Sequence, residues 1–231
     1  MIKLSARAAL LDIEGTIADI SFVRNVLFPY AREALPGFIA RHVNEPKVAA
    51  ELAATARAAG LAAEDREAIV RQLIAWIDDD VKATPLKELQ GMIWAQGYRE
   101  GVFTAHLYPD AHDWIEQRHA EGLPLYIYSS GSIQAQQLYF SHSEFGDLRS
   151  NFQGFFDTTI GSKKEAHSYN QIAGQIGLEP EQIVFFSDIG DELEAAQAAG
   201  MQVVQLVRPG TPTDSRFPHT ADFNAVQLEH R

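Results

Sequence analysis

Apolar residues along this chain follow two rhythms. Short uninterrupted runs, Ala8 to Leu11, Leu125 to Tyr128, Ile183 to Phe186 and Val203 to Val207, have almost no polar face. That is the pattern of parallel strands covered by helices on both sides. A fifth, weaker strand candidate is Phe155-Phe156-Asp157-Thr158-Thr159-Ile160. Between these runs the apolar spacing lengthens to three and four residues, predicting helices such as Ala111 to Glu121 and Glu165 to Ile176. The alternation predicts an α/β fold: a Rossmann-like parallel sheet core with helices on both faces.

One interval departs from this alternation. From residue 17 to residue 106 no strand pattern appears, and helical patterns follow one another. Glu64 to Lys82 carries Ile69, Leu73, Trp76, Ile77 and Val81 on one stripe. Lys47 to Ala59 reads as a helix stopped by Gly60. Thr84 and Pro85 supply an N-cap and a first-turn proline for a further helix through Met92 and Trp94. The expected organisation is therefore a core of residues 1–16 and 107–231 with an all-helical cap, residues 17–106, inserted after the first strand. The tail beyond Pro209 reads as loop and sheet edge.

Composition narrows what such a fold would do. A chain of 231 residues with 46% hydrophobic content can bury a sizeable core. The net charge of −12, with no basic block, argues against a nucleic-acid partner. There is no cysteine, which excludes disulfides and thiolate chemistry. No apolar run approaches the roughly 18 residues of a membrane span, so no membrane partner is expected. The N-terminus lacks the apolar stretch of a signal peptide, and the expected location is cytoplasmic. The eight histidines show no metal-ligand spacing; His106, His142 and His167 read as structural or surface residues.

Ligands of a doubly wound sheet bind outside the carboxyl ends of its strands. Those ends carry Asp12 and Glu14, then Ser129-Ser130-Gly131-Ser132, then Asp188, with Gly161-Ser162-Lys163-Lys164 in between. Carboxylates packed at the tip of a buried strand are costly to desolvate, and a cation is the simplest compensation. Acids for a hard cation, hydroxyls for phosphate oxygens and a lysine for developing charge suit Mg2+-assisted phosphoryl transfer. Each piece also has a plain reading. The serines suffice as an N-cap cluster for a helix from Ile133 to Tyr139, Asp188 as a cap near Asp191, and either lysine as a solvated charge.

The string Asp12-Ile13-Glu14-Gly15-Thr16 resembles the first motif of the haloacid-dehalogenase superfamily of aspartate-nucleophile phosphatases, with Glu14 in place of the usual second Asp. Further strings narrow the likeness to the enolase-phosphatases of methionine salvage. They include Ser21-Phe22-Val23, Leu27-Phe28-Pro29-Tyr30-Ala31, Trp94-Ala95-Gln96-Gly97-Tyr98, Tyr108-Pro109-Asp110, Tyr128-Ser129-Ser130-Gly131-Ser132 and Phe156-Asp157-Thr158-Thr159-Ile160-Gly161. The resemblance implies a monomer that binds one Mg2+ per chain. It implies enolisation of 2,3-diketo-5-methylthiopentyl-1-phosphate, followed by phosphate removal to give the acireductone. It also implies roles: Asp12 as nucleophile, with Asp12, Glu14 and Asp188 as metal acids. Ser129, Ser130 and Lys163 become substrate contacts, Lys163 rather than Lys164 because it stands two residues after Gly161. Glu192 would assist the metal through water.

Glu14 reaches about 1.5 Å further than Asp, one carbon–carbon bond, which suits a second contact during enolisation. Glu14, Lys163 and a metal-bound water all stand as bases for that step. Phe22, Phe28, Trp94 and Tyr98 are candidate walls for the apolar thioether end. The competing readings are a plain Mg2+ phosphomonoesterase of the same superfamily and a non-catalytic binding protein on its fold.

Overall fold

The computed structural model describes residues 1–230. Six parallel strands form the main sheet: β2 (Ala8–Leu11), β3 (Leu125–Tyr128), β4 (Gly154–Phe156), β5 (Ile183–Ser187), β6 (Gln202–Leu206) and the short β7 (His219–Thr220). Their spatial order is β4-β3-β2-β5-β6-β7. The chain thus builds outward from β2 on one side and then crosses to add β5 on the other. The register sets Leu11 opposite Ile127 and Phe186, so the carboxyl ends of β2, β3 and β5 lie side by side. The reversal of direction at β2 and β5 opens the crevice in which such sheets take ligands.

Two strands escape a reading based on uninterrupted apolar runs. β1 (Ile2–Ala6) and β8 (Val226–His230) pair in parallel as a separate two-stranded sheet, Ile2 opposite Val226. Both alternate apolar and polar residues because only one side is covered. The tail is therefore more than loop and edge. The fifth strand is also shorter than its candidate run, ending at Phe156. Asp157 leaves the sheet because its carboxylate accepts backbone N–H bonds from Ile133 and Thr159.

The chain forms two compact units, residues 1–20 with 105 onward, and Ser21–Thr104. The single turn α1 (Ile20–Phe22) begins at the boundary, and in the second unit the chain runs through a π-helical stretch, Val23–Leu27, into α2 (Phe28–His42). Three more helices follow: α3 (Pro46–Ala59), α4 (Arg66–Asp78) and α5 (Thr84–Arg99). Leu35, Ile39, Val48, Ile69, Leu73, Leu86, Leu89 and Ile93 form its core. Gly60 stops α3 in the left-handed conformation, φ 66°. The apolar stripe of α4 is shorter than its sequence suggests. Asp65 caps the helix through the Ala68 N–H, the last turn closes at Asp78, and Val81 is exposed beyond it. Ala83, not Thr84, is the N-cap of α5, so Thr84 and Pro85 occupy its first turn.

In the first unit α6 (Pro109–Ala120) and α7 (Ile133–Ser141) pack on one sheet face, α8 (Ala166–Ile176) and α9 (Gly190–Ala198) on the other. Ala8, Leu10, Phe185 and Val203 meet Tyr169, Ile172, Leu193 and Ala196 on the second face. Trp114 meets Phe186, and Phe140 meets Phe155, on the first. The strands are buried on both sides, as their lack of polar positions requires. Among the described residues no helix is long and apolar enough to cross a membrane.

Candidate active site

Asp12 is the first residue beyond β2, and its N–H donates to the Phe186 carbonyl at 3.0 Å. The following turn folds tightly because the Ile13 carbonyl accepts from the N–H groups of Thr16, Ile17 and Ala18. Gly15 adopts φ +77°, and a Cβ there would lie 2.3 Å from Asp188 Oδ2. Only glycine permits both the conformation and the approach. Thr16, completely buried, donates its hydroxyl to Asp12 Oδ2 at 3.0 Å and accepts the Asp188 N–H at 3.0 Å. One hydroxyl thus ties the ends of β2 and β5 together. Glu14 is half-buried in the same turn.

The four serine-loop residues divide their tasks. Ser132 caps α7, its Oγ accepting the Ala135 N–H at 3.2 Å. Ser129 is 4% exposed, and its Oγ accepts the Gly131 N–H. Ser130 is exposed. Gln136 holds the loop from beneath, donating to the Gly131 and Phe156 carbonyls at 2.7 and 2.9 Å.

Lys163 and Lys164 are adjacent in sequence and opposite in environment. Lys164 is exposed and pairs with Asp191. Lys163 is buried. Its Nζ lies 2.5 Å from Asp12 Oδ1 and 2.7 Å from Glu192 Oε2. Its backbone is aimed by Tyr169, whose hydroxyl donates to the Lys163 carbonyl, and by Tyr128, whose hydroxyl donates to that of Gly161. Burial pushes the ammonium's pKa down, but Asp12 and Glu192 outweigh it and raise it above the ordinary lysine value.

The acids outnumber this cation. Glu192 also accepts from the Ser187 hydroxyl at 2.9 Å, yet burial and Asp12 push its pKa up despite Lys163. Asp188 does not cap α9, whose N-cap is Ile189. Burial, then Asp12 and Glu192, push its carboxyl up to about 7, and its buried Oδ1 has no hydrogen-bond partner. One ammonium among three carboxylates leaves an excess of acid in a largely buried site. A divalent ion beside Asp12 and Asp188 would balance that charge and engage the orphaned oxygen, so these residues fit Mg2+. Among the described residues no three Asp, Glu or His side chains converge into a complete metal cage. Asp12, Glu14 and Asp188 do not by themselves enclose an ion, and backbone carbonyls and water would supply the remaining oxygens.

Thr16, within the Asp12 motif, and Ser187, just before Asp188, carry contacts that their residue types alone did not mark. Their hydroxyls face inward to the acids, a direction set by the turns. His106 accepts the Asp19 N–H, and His167 is exposed. In the helical unit Phe28 stacks on Trp94, while Phe22 and Tyr98 pack against Phe103, so the expected wall residues belong to its aromatic packing.

Residues 6–200 match the family of haloacid dehalogenase-like hydrolases. The chain is 51% identical over 226 residues to an enolase-phosphatase E1 of Pseudomonas aeruginosa, covering 98% of this chain and all of that one. It is 52% identical to an enolase-phosphatase E1 of Bradyrhizobium, covering 98% and 96%. Among solved structures it resembles the UTR4 protein of Saccharomyces cerevisiae, with TM-score 0.82, 32% identity and coverage of 95% and 99%.

Proposed function

The chain belongs to the haloacid dehalogenase-like hydrolases and, within them, to the enolase-phosphatases, and from that membership we propose how its residues carry the reaction. It is a phosphatase with enolase activity in methionine salvage. The substrate is 2,3-diketo-5-methylthiopentyl-1-phosphate, and the products are the acireductone 1,2-dihydroxy-3-keto-5-methylthiopentene and phosphate. The observation that carries the phosphatase half is a buried Asp12 carboxylate held at one oxygen by Thr16 and at the other by Lys163, beside the partnerless Oδ1 of Asp188.

In this reading enolisation comes first. Glu14 takes a proton from C1, the electron pair moves onto the adjacent carbonyl, and a proton from solvent completes the enol. The Lys163 ammonium is stabilised in its charged form, which makes it an electrostatic partner and leaves Glu14 the better base among this chain's side chains. Asp12 then attacks phosphorus. The Asp12 oxygen–phosphorus bond forms, the ester oxygen–phosphorus bond breaks, and the leaving oxygen takes a proton from Glu14. Water hydrolyses the aspartyl phosphate and restores Asp12. Ser129, Ser130 and Lys163 hold the equatorial phosphate oxygens, where charge collects. Asp12 and Asp188, with a backbone oxygen of Glu14 so that its carboxyl stays free for the proton, would hold Mg2+, which when bound supplies positive charge to the phosphoryl oxygens. Unit Ser21–Thr104 is the cap in this scheme. The same reading assigns a monomer in the cytoplasm acting on a small phosphorylated metabolite.

The test incubates purified protein with the diketo phosphate and Mg2+ while enol absorbance and released phosphate are followed together. Rising absorbance with phosphate following is expected. Phosphate release from other esters with the diketone untouched would reduce the protein to a simple phosphomonoesterase.

A further inference from the structure

The Asp12 turn is gripped from beyond its own motif. Arg208 stands two residues beyond β6, at the same sheet edge as Asp12 and Asp188, and is 6% exposed. Its Nε donates to the Thr16 carbonyl at 2.9 Å. Its Nη1 donates to Asp110 Oδ1 at 2.9 Å and to the Ala221 carbonyl at 3.2 Å. The guanidinium carbon lies 4.1 Å from the centroid of the Tyr108 ring. Tyr108 reaches the same turn, its N–H donating to the Ile17 carbonyl at 2.9 Å. Asp110 is fixed in turn, its Oδ2 accepting the Phe223 N–H at 2.9 Å.

We propose that Arg208 is a positioning residue for the nucleophile. By clamping the Thr16 carbonyl it sets the Thr16 hydroxyl, which is bonded at once to Asp12 Oδ2 and to the Asp188 N–H. The proposal deepens the phosphatase reading and rests on it for its kinetic arm. A buried, planar, multiply bonded guanidinium suits this task because its donors lie in fixed directions. The plain alternative is that Arg208 only staples the segment 221–223 to α6. A staple would stabilise the fold without governing the Asp12 turn.

Arg208→Lys keeps the charge but loses the fixed fork. It is expected to lower kcat for phosphate release about tenfold to a hundredfold, the scale of a small misplacement of a reacting group, with KM within about twofold. If Arg208 works through Thr16, adding Arg208→Lys to Thr16→Val costs far less than it does in the wild type, because the link is already cut. The readout that does not depend on activity is hydrogen exchange of the Asp188 amide. It should quicken in Arg208→Lys while β5 amides such as Val184 keep their protection. Asp110→Asn, which leaves Arg208 in place but weakens its anchor, should move both readouts the same way by less, and serves if the lysine variant does not fold. Unchanged Asp188 exchange, additive losses, or an effect confined to KM would overturn the proposal. Failure of the wild type on the diketo phosphate would instead overturn the enolase reading. The exchange measurement still decides the role of Arg208 in that case.

Discussion

At the scale of single residues, the site is a problem in charge balance. Lys163 is the one ammonium shared by Asp12 and Glu192, and all three side chains are buried. Lys163→Met leaves two buried carboxylates without a counter-charge, a loss of about 3–5 kcal/mol by the usual cost of breaking a buried pair. Urea unfolding at pH 7.5 should show it, with a smaller loss at pH 5, where Glu192 can neutralise. Phosphate release should disappear. Glu14 carries a different test. In Glu14→Asp, enol formation from the diketo phosphate is expected to fall by about 10²–10⁴, the range of a lost general base. Hydrolysis of a simple aryl phosphate should fall much less. Normal rates of both steps on the diketone would remove Glu14 from the enolisation.

At the scale of elements, parallel pairing decides what a strand needs on its faces. β2, β3 and β5 are covered on both sides and read clearly as apolar runs. β1 and β8 are covered on one side only, and their alternating residues carry a weaker signal that gains meaning only from each other. Val226 and Leu228 are buried, and the Leu228 carbonyl accepts from Arg118. Deleting residues 226–231 should therefore cost about 3–6 kcal/mol, from two apolar side chains at about 1.5–3 kcal/mol each. A thermal melt of the shortened chain checks this; an unchanged midpoint would mean β8 adds nothing. Helix ends were the least legible elements. Val81 continues the stripe of α4 in sequence, but the helix has already closed at Asp78.

At the scale of the whole molecule, Asp188 and Glu192 make stability depend on pH. Both carboxyls have folded-state pKa values above the ordinary range, Asp188 at about 7, through burial and neighbouring acids. The folded state therefore holds protons that the unfolded chain, titrating at about 4, has released. Stability of the metal-free protein falls as pH rises through the window from about 4 to about 7. Mg2+ should reverse this, because an ion bound between acids favours their charged forms and binds the folded state. Urea midpoints at pH 5 and 7.5, each with EDTA or Mg2+, measure it. A midpoint that is flat with pH in EDTA and insensitive to Mg2+ would contradict the charge balance proposed for the site.

The sequence by itself determined the α/β core, the helical character of the segment after β2, and the family. These rest on local periodicity and short motifs, which each stretch of chain carries without reference to the rest. It also marked Asp12, Glu14, Ser129, Ser130, Lys163 and Asp188 as candidates. Only the tertiary structure separated Lys163 from Lys164 by environment, aimed the Thr16 hydroxyl at Asp12, and left Asp188 Oδ1 without a partner. It alone brought Arg208 to a carbonyl 192 positions earlier in the chain. The reason is physical: burial and hydrogen-bond direction depend on what packs against a residue, and those neighbours arrive from distant parts of the chain through the order of strands in the sheet.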